Sequence, residues 1–276
     1  MKYNRILTIQ DISCLGQCSM TVALPILSAC GQETCIIPSA VLSTHTGGFS
    51  FPTIRDISMD IPAIRAHWEQ EAISFDAIYT GYLGTKEQID DVAHVFDTML
   101  RPGGKIIVDP AMADHGKLYG GFDMAYAQAM GQLCTKADVI LPNLTESCLI
   151  TGVEYRESYD EAYIADVLAR LHSMGMKTVV LTGIGYHPGE TGVVVSNGRD
   201  IYHYRHQKLS RSYHGTGDIY ASAFVGSWMG GKTLEQAVQI AADYACECIK
   251  ATIGDESHWY GTKFETALPH LIDALQ

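Results

Sequence analysis

Short apolar runs rich in β-branched residues recur through the first two thirds of the chain and alternate with segments of helical periodicity. Ile6–Ile9, Cys35–Ile37, Ala77–Tyr79, Ile106–Val108, Val139–Leu141 and Thr178–Leu181 read as strands. Their alternation with helices predicts an α/β fold in which a mostly parallel central sheet is flanked by helices on both faces. Capping boxes mark three helix starts, at Thr85–Gln88, Ser158–Glu161 and Thr233–Gln236. In each, two side chains accept backbone N–H groups that would otherwise be unpaired. Between residues 190 and 207, two strand-like stretches are joined by Asn197-Gly198. That pair tolerates the positive φ angles of a type I′ turn, so a small antiparallel hairpin is expected. From Gly217 onward the pattern is helical, in three segments. No repeat, low-complexity tract or Pro/Ser-rich linker breaks the pattern, and a single domain over residues 1–276 is predicted.

Composition narrows the function classes. The chain has 276 residues, 47% of them hydrophobic, enough to bury a substantial core. Its 31 acidic residues outnumber 19 Lys plus Arg, and a net charge of −12 argues against nucleic acid as a partner. No run of 18 apolar residues is present. The opening "MKYNRILTIQ" passes into a strand without the apolar segment of a signal peptide. No membrane association and a cytoplasmic location are therefore expected. The eight cysteines include no C-x-x-C pair, and several lie in apolar periodic segments. They read as reduced core residues rather than disulfides or zinc ligands.

Several stretches carry candidate chemistry. Gly226–Thr233 satisfies the G-x-x-x-x-G-K-[ST] expression of a phosphate-binding loop, but the residues ahead of it read as helix, where such a loop must follow a strand. A helix stop at Gly230-Gly231 and a new start at Thr233 account for it. The stretch "YHGTGDIYASAF", residues 213–224, has the context the other lacks: a Gly-rich turn leads from the hairpin into a helix. The N–H groups of Gly215, Thr216 and Gly217 can there face an anion, with the Asp218 carboxylate beside them. Two glycines and an acid alone are more often a tight turn with an ordinary first-turn carboxylate.

The C-terminal ends of parallel strands are where open α/β sheets bind ligands. "VDPAMAD" (108–114), "LPNLTES" (141–147) and "LTGIG" (181–185) fall at such ends. Asp109 and Glu146 are hard-oxygen ligands of the kind Mg²⁺ prefers, although Asn143 and Glu146 equally fit a helix cap and its partner. Two polar loops, "IQDISCLGQCS" after the first strand and "STHTGGF" after the second, bring Asp11, Ser13, His45 and Thr46 to the same end for a small polar substrate. His203 and His206 lie in the hairpin without a partner motif and read as exposed strand surface.

Taken in order, "TIQD", "STHTGG", "YTGYLG", "DPAMAD", "PNLTE" and "GTGD" resemble the pyridoxal/pyridoxamine kinase branch of the ribokinase-like superfamily, over nearly the whole chain. The resemblance implies a single ribokinase-like domain, usually a homodimer. It also implies ATP and Mg²⁺ as cofactors, a monovalent cation such as K⁺, and phosphorylation of the 5′-hydroxymethyl group of a vitamin B6 vitamer. Carried over by motif, the general base falls on Asp218, the anion hole on Gly215, Thr216 and Gly217, and the Mg²⁺ and ATP phosphates on Asp109, Asn143 and Glu146, with Asp109 and Glu146 toward the metal. Thr182 matches a nucleotide contact. Asp11, Ser13, His45, Thr46 and Tyr82 fall in the substrate pocket, and Tyr119 on the flap above it. Two departures stand out. Asp11 replaces the Ser of "IQS", and "DPAMAD" lacks the glycine of "DPVMGD". Rival readings are a hydroxymethylpyrimidine kinase of the same superfamily and a non-catalytic ligand-binding relative.

Overall fold

The structure, a computed structural model, describes residues 2–276. The chain opens with β1 (Arg5–Ser13), α1 (Met20–Ala29), β2 (Glu33–Leu42), β3 (Ile54–Asp56) and α2 (Asp60–Gln70). It continues through β4 (Phe75–Thr80), α3 (Lys86–Met99), β5 (Leu100–Val108), β6 (Ala113–Asp114), β7 (Lys117–Leu118) and α4 (Met124–Lys136). Next come β8 (Val139–Ile140), α5 (Leu144–Thr151), α6 (Glu161–Ser173), β9 (Val179–Thr182), β10 (Glu190–Ser196) and β11 (Ile201–Gln207). The chain ends in α7 (Thr216–Met229), α8 (Leu234–Thr252) and α9 (Phe264–Leu275).

Among the described residues the main sheet has the order β11-β10-β9-β8-β5-β4-β1-β2-β3. From β2 to β9 every neighbour is parallel, and these strands are those that the apolar runs predict. β3 closes one edge and the β10–β11 hairpin the other, both antiparallel. Alternate residues feed two cores. Leu7, Ile9, Ile106 and Val108 join the helices α2 to α6 on one face. Ile6, Ala77, Ile107 and Val180 join α1, α7, α8 and α9 on the other. Such strands are apolar on both sides because both sides are covered.

Some local expectations change. Thr233 and Gln236 form a complete capping box. Thr85 accepts the Gln88 N–H, but the Gln88 side chain accepts from Gly84 N and spends its amide on Ser39, Asp56 and Ser58. The box at Ser158 does not form, because Asp160 is the cap, accepting from Tyr163 N at 2.9 Å. The hairpin loop spans four residues rather than two, since Ser196 pairs with Ile201. Only Gly198 has positive φ there, and the Asn197 side chain accepts from Arg199 N and Asp200 N in place of a type I′ turn. β1 also runs on through Ser13 with a bulge between Gln10 and Ile12, so Asp11 and Ser13 are strand residues, not loop residues. α7 passes through Gly226 and stops at Gly230, so the residues that fit the phosphate-loop expression form a helix end and not a strand-to-helix loop.

Candidate active site

The parallel strands end along one edge of the sheet, and the N-terminus of α7 meets that edge. A cavity of 420 Å³ takes in Asp109, Asn143, Glu146, Thr182 and the start of α7. A second, of 580 Å³, takes in Asp11, Ser13, His45, Thr46 and Tyr82. The two share Ala111, Asp114, Tyr119, His214, Gly215 and Asp218. All the candidate catalytic, cofactor and substrate residues named from the sequence therefore line one of two adjoining chambers, and Asp218 stands where they meet.

The turn into α7 is specified sterically. Gly215 has φ +78, and a Cβ there would collide with the Gln17 carbonyl oxygen. Thr216 donates its hydroxyl to Tyr213 O at 2.8 Å, bracing the turn. The first N–H groups of a helix have no intrahelical acceptor, so those of Gly215 to Gly217 are free to serve an anion. Asp218 follows in the first turn and accepts from Ser19 N at 3.0 Å. Ser19 precedes α1 with φ +51, a conformation few non-glycine residues adopt. Burial pushes the Asp218 carboxyl up to about 6, against the single amide that steadies its charge, and the Asp11 charge adds to the rise. A carboxyl poised there is suited to take a proton near neutral pH.

Across the first chamber Asn143 caps α5, and its Oδ1 accepts from Glu146 N at 2.9 Å. Glu146 returns the bond at Asn143 N, at 2.9 Å, and its other oxygen accepts from Met112 N at 3.0 Å. Asn143 Nδ2 donates to Ala113 O at 2.7 Å and Thr145 Oγ1 accepts from Gly116 N at 3.0 Å. "NLTE" thus clamps the β6–β7 flap, whose next residue is Tyr119, 42% exposed above both chambers. Ala113, where the related motif has glycine, lies in β6 without a positive φ, so the missing glycine strains nothing; Ala111 carries the positive φ instead, at +32.

Asp109 is 9% and Glu146 2% exposed. Burial raises both carboxyls, and for Asp109 the charges of Glu146 and Asp218 raise it further. Crowded, desolvated carboxylates favour a divalent cation, and hard oxygen donors suit Mg²⁺. The fit is uneven. Glu146 is largely committed to backbone amides, whereas Asp109 uses one oxygen on Ala111 N at 3.1 Å and keeps the other. Of the two, Asp109 has the oxygen left to offer a cation.

In the second chamber Asp11 is 3% exposed and accepts the Ser13 hydroxyl at 2.9 Å. Burial raises its pKa. His45 offers no free nitrogen. Its Nε2 lies 2.6 Å from Tyr260 O and its Nδ1 accepts from Gly47 N at 3.1 Å, so the ring is held neutral with its proton on Nε2, and burial lowers its pKa accordingly. It can meet a ligand only with its ring. Tyr82 packs against Phe122, with ring centroids 5.5 Å apart and planes tilted by 31°. Ser19, Asp114, His214 and the short flap strands were not legible from local pattern. His206 is also placed differently than expected. It is half-buried in the first chamber, with Nδ1 3.3 Å from Cys246 Sγ, because positions 202, 204 and 206 turn toward α8. All eight cysteines are free thiols and five are buried, Cys14 being exposed.

A family model described as phosphomethylpyrimidine kinase matches residues 31–261. The chain belongs to that family. A pyridoxine/pyridoxal/pyridoxamine kinase from Bordetella avium is 28% identical over 90% of this chain and 85% of its own length. A Bacteroides thetaiotaomicron protein assigned to the phosphomethylpyrimidine kinases and crystallised with pyridoxal is 35% identical, with a TM-score of 0.92 over 98% of this chain and 96% of that one. Pyridoxal kinase from Lactobacillus plantarum is 29% identical, with a TM-score of 0.90 over 98% and 97%. The protein is thus a kinase with the ribokinase-like fold of the pyridoxal kinase type, and a small-molecule acceptor and ATP are its expected reactants. Among the described residues no helix is long and apolar enough to cross a membrane.

Proposed function

We propose that the protein transfers the γ-phosphoryl group of ATP to the 5′-hydroxymethyl oxygen of a vitamin B6 vitamer. The observation that carries this reading is the meeting of two chambers at Asp218 and the amides of Gly215 to Gly217. ATP enters the chamber of Asp109, Asn143 and Thr182, and the vitamer enters that of Asp11, His45 and Tyr82. Asp218 accepts the hydroxyl proton as the oxygen–phosphorus bond forms and the bond to the ADP oxygen breaks. The α7 amides hold the transferring oxygens, in line with a reaction that depends on positioning and charge stabilisation. Mg²⁺, held chiefly by Asp109, would neutralise phosphate charge when bound. We place the active species as a homodimer on the family resemblance.

The pyridoxal carried by the Bacteroides relative favours a B6 vitamer. The family model's own description keeps a hydroxymethylpyrimidine as the second reading. ATP-dependent product formation with pyridoxal, pyridoxamine, pyridoxine and 4-amino-5-hydroxymethyl-2-methylpyrimidine separates them. We expect the highest kcat/KM with a vitamer. A higher value with the pyrimidine would assign the second reading, and no turnover with any would leave a ligand-binding relative.

A further inference from the structure

Among the described residues, no lysine or arginine lines either chamber. The carboxylates of Asp11, Asp109, Asp114, Glu146 and Asp218 do. A site for moving a highly charged phosphoryl group thus contains five acids and no permanent side-chain cation. Metal and backbone amides answer part of that charge. The remaining ring nitrogens that could donate there belong to histidines, and the structure distinguishes among them.

His45 is excluded, because both its nitrogens are held by backbone and a second proton would break the bond from Gly47 N. His206 lies at the Cys246 side of the first chamber and does not reach the second. His214 lines both. It is exposed, makes no hydrogen bond to the described residues, and immediately precedes Gly215 of the candidate anion hole. Its ring lies 5.3 Å from that of His45. Room for it comes from Gly47, where a Cβ would collide with His214 Nδ1. A ring with unspent nitrogens, at the junction of the chambers and opposite a position kept free of side chain, is placed to act on whatever crosses there.

We propose that His214 is a phosphoryl-binding residue: a ring N–H donates to an oxygen of the group in transit and keeps that bond in the 5′-phosphorylated product. The proposal rests on the phosphoryl-transfer reading above. It assigns His214 no bond-making step and leaves the proton transfer with Asp218.

The test compares pyridoxine with pyridoxine 5′-phosphate, neither of which has an aldehyde to react with lysines, on the intact chain and on His214→Leu and His214→Gln. A charge-assisted hydrogen bond corresponds to about 10–100-fold in affinity. His214→Leu should weaken pyridoxine 5′-phosphate by that factor, change pyridoxine by less than about 3-fold, and lower kcat more than it raises KM for the vitamer. His214→Gln, which keeps an N–H donor, should restore part of the loss. Equal weakening of both ligands would reduce His214 to packing the pocket, and unchanged binding of the phosphorylated ligand would remove it from the phosphoryl path. Either result overturns the proposal. Absence of ATP-dependent turnover in the unsubstituted protein, measured first, would instead overturn the transfer reading on which it stands.

Discussion

Replacing Asp218 by asparagine should abolish most activity while making the protein more stable. The carboxyl sits at about 6 in the fold against an ordinary 3.8, a rise caused first by burial and increased by Asp11. Each pKa unit corresponds to about 1.4 kcal/mol of preference for the neutral form. The rise from 3.8 to about 6 therefore sets an upper limit near 3 kcal/mol for what the ionised group costs the fold, and the carboxyl's partial contact with solvent brings a working figure to about 1–3 kcal/mol. Asparagine keeps an oxygen for the Ser19 N–H and carries no charge. The sign follows from linkage. Because the folded pKa lies above the unfolded one, the native state holds the proton more tightly. The cost is absent below about pH 4, grows between about 4 and 6, and is fully present above about 6.

The assay is a set of thermal melts of both proteins without nucleotide or divalent metal, from pH 4 to pH 8. At the upper end Asp218→Asn should melt higher by about 2–9 °C, taking about 2–3 °C per kcal/mol for a domain of this size. The gap should close toward pH 4. In parallel, kcat should fall by roughly 10²–10⁴, and the unsubstituted enzyme should lose kcat/KM as pH drops through about 6. A variant that is less stable at pH 8, or a gap independent of pH, would refute the view that Asp218 is held ionised against its surroundings. Unimpaired turnover in the variant would refute its role as base.

Other substitutions probe neighbouring steps. Gly215→Ala should destabilise the protein by more than about 2 kcal/mol in chemical denaturation, because it meets both the φ of +78 and the Gln17 carbonyl; Gly217→Ala, whose Cβ would point into open space, should leave stability unchanged or slightly improved. Lys232→Ala, in the turn between α7 and α8, should leave the ATP KM and kcat within about 2-fold, since Lys232 lines neither chamber. Asp11→Ser should shift preference from pyridoxamine toward pyridoxal in a kcat/KM panel, because Asp11, Asp114 and Asp218 favour an amine over an aldehyde in a chamber that, among the described residues, no lysine or arginine lines. Identical profiles would remove Asp11 from substrate choice.

The parallel strands were legible because helices cover both sides of the sheet, which leaves runs such as Ile106–Val108 apolar throughout. The pattern failed where polar residues are buried. β1 reads as ending at Ile9 because Gln10, Asp11 and Ser13 follow, yet they continue the strand, with Asp11 turned into the second chamber. The two-residue strands of the flap have no periodicity to detect, and what holds them is a capping pair thirty residues away, Asn143 and Glu146. For "NLTE" the choice between helix cap and binding residue was therefore not a real alternative. The cap is intact, and the same carboxylate secures the flap over both chambers. Ser19 and His214 carry no local signal, since one acts through a backbone N–H and the other has ring nitrogens with no hydrogen-bond partner among the described residues. Both matter only relative to Asp218, and their places follow from α1 and α7 packing on the same face of the sheet. A carboxylate raised by burial, steadied by one amide and set beside a helix N-terminus has the reactivity of a base because the fold withholds full compensation of its charge. Stability is lost at the point where the proton must be accepted.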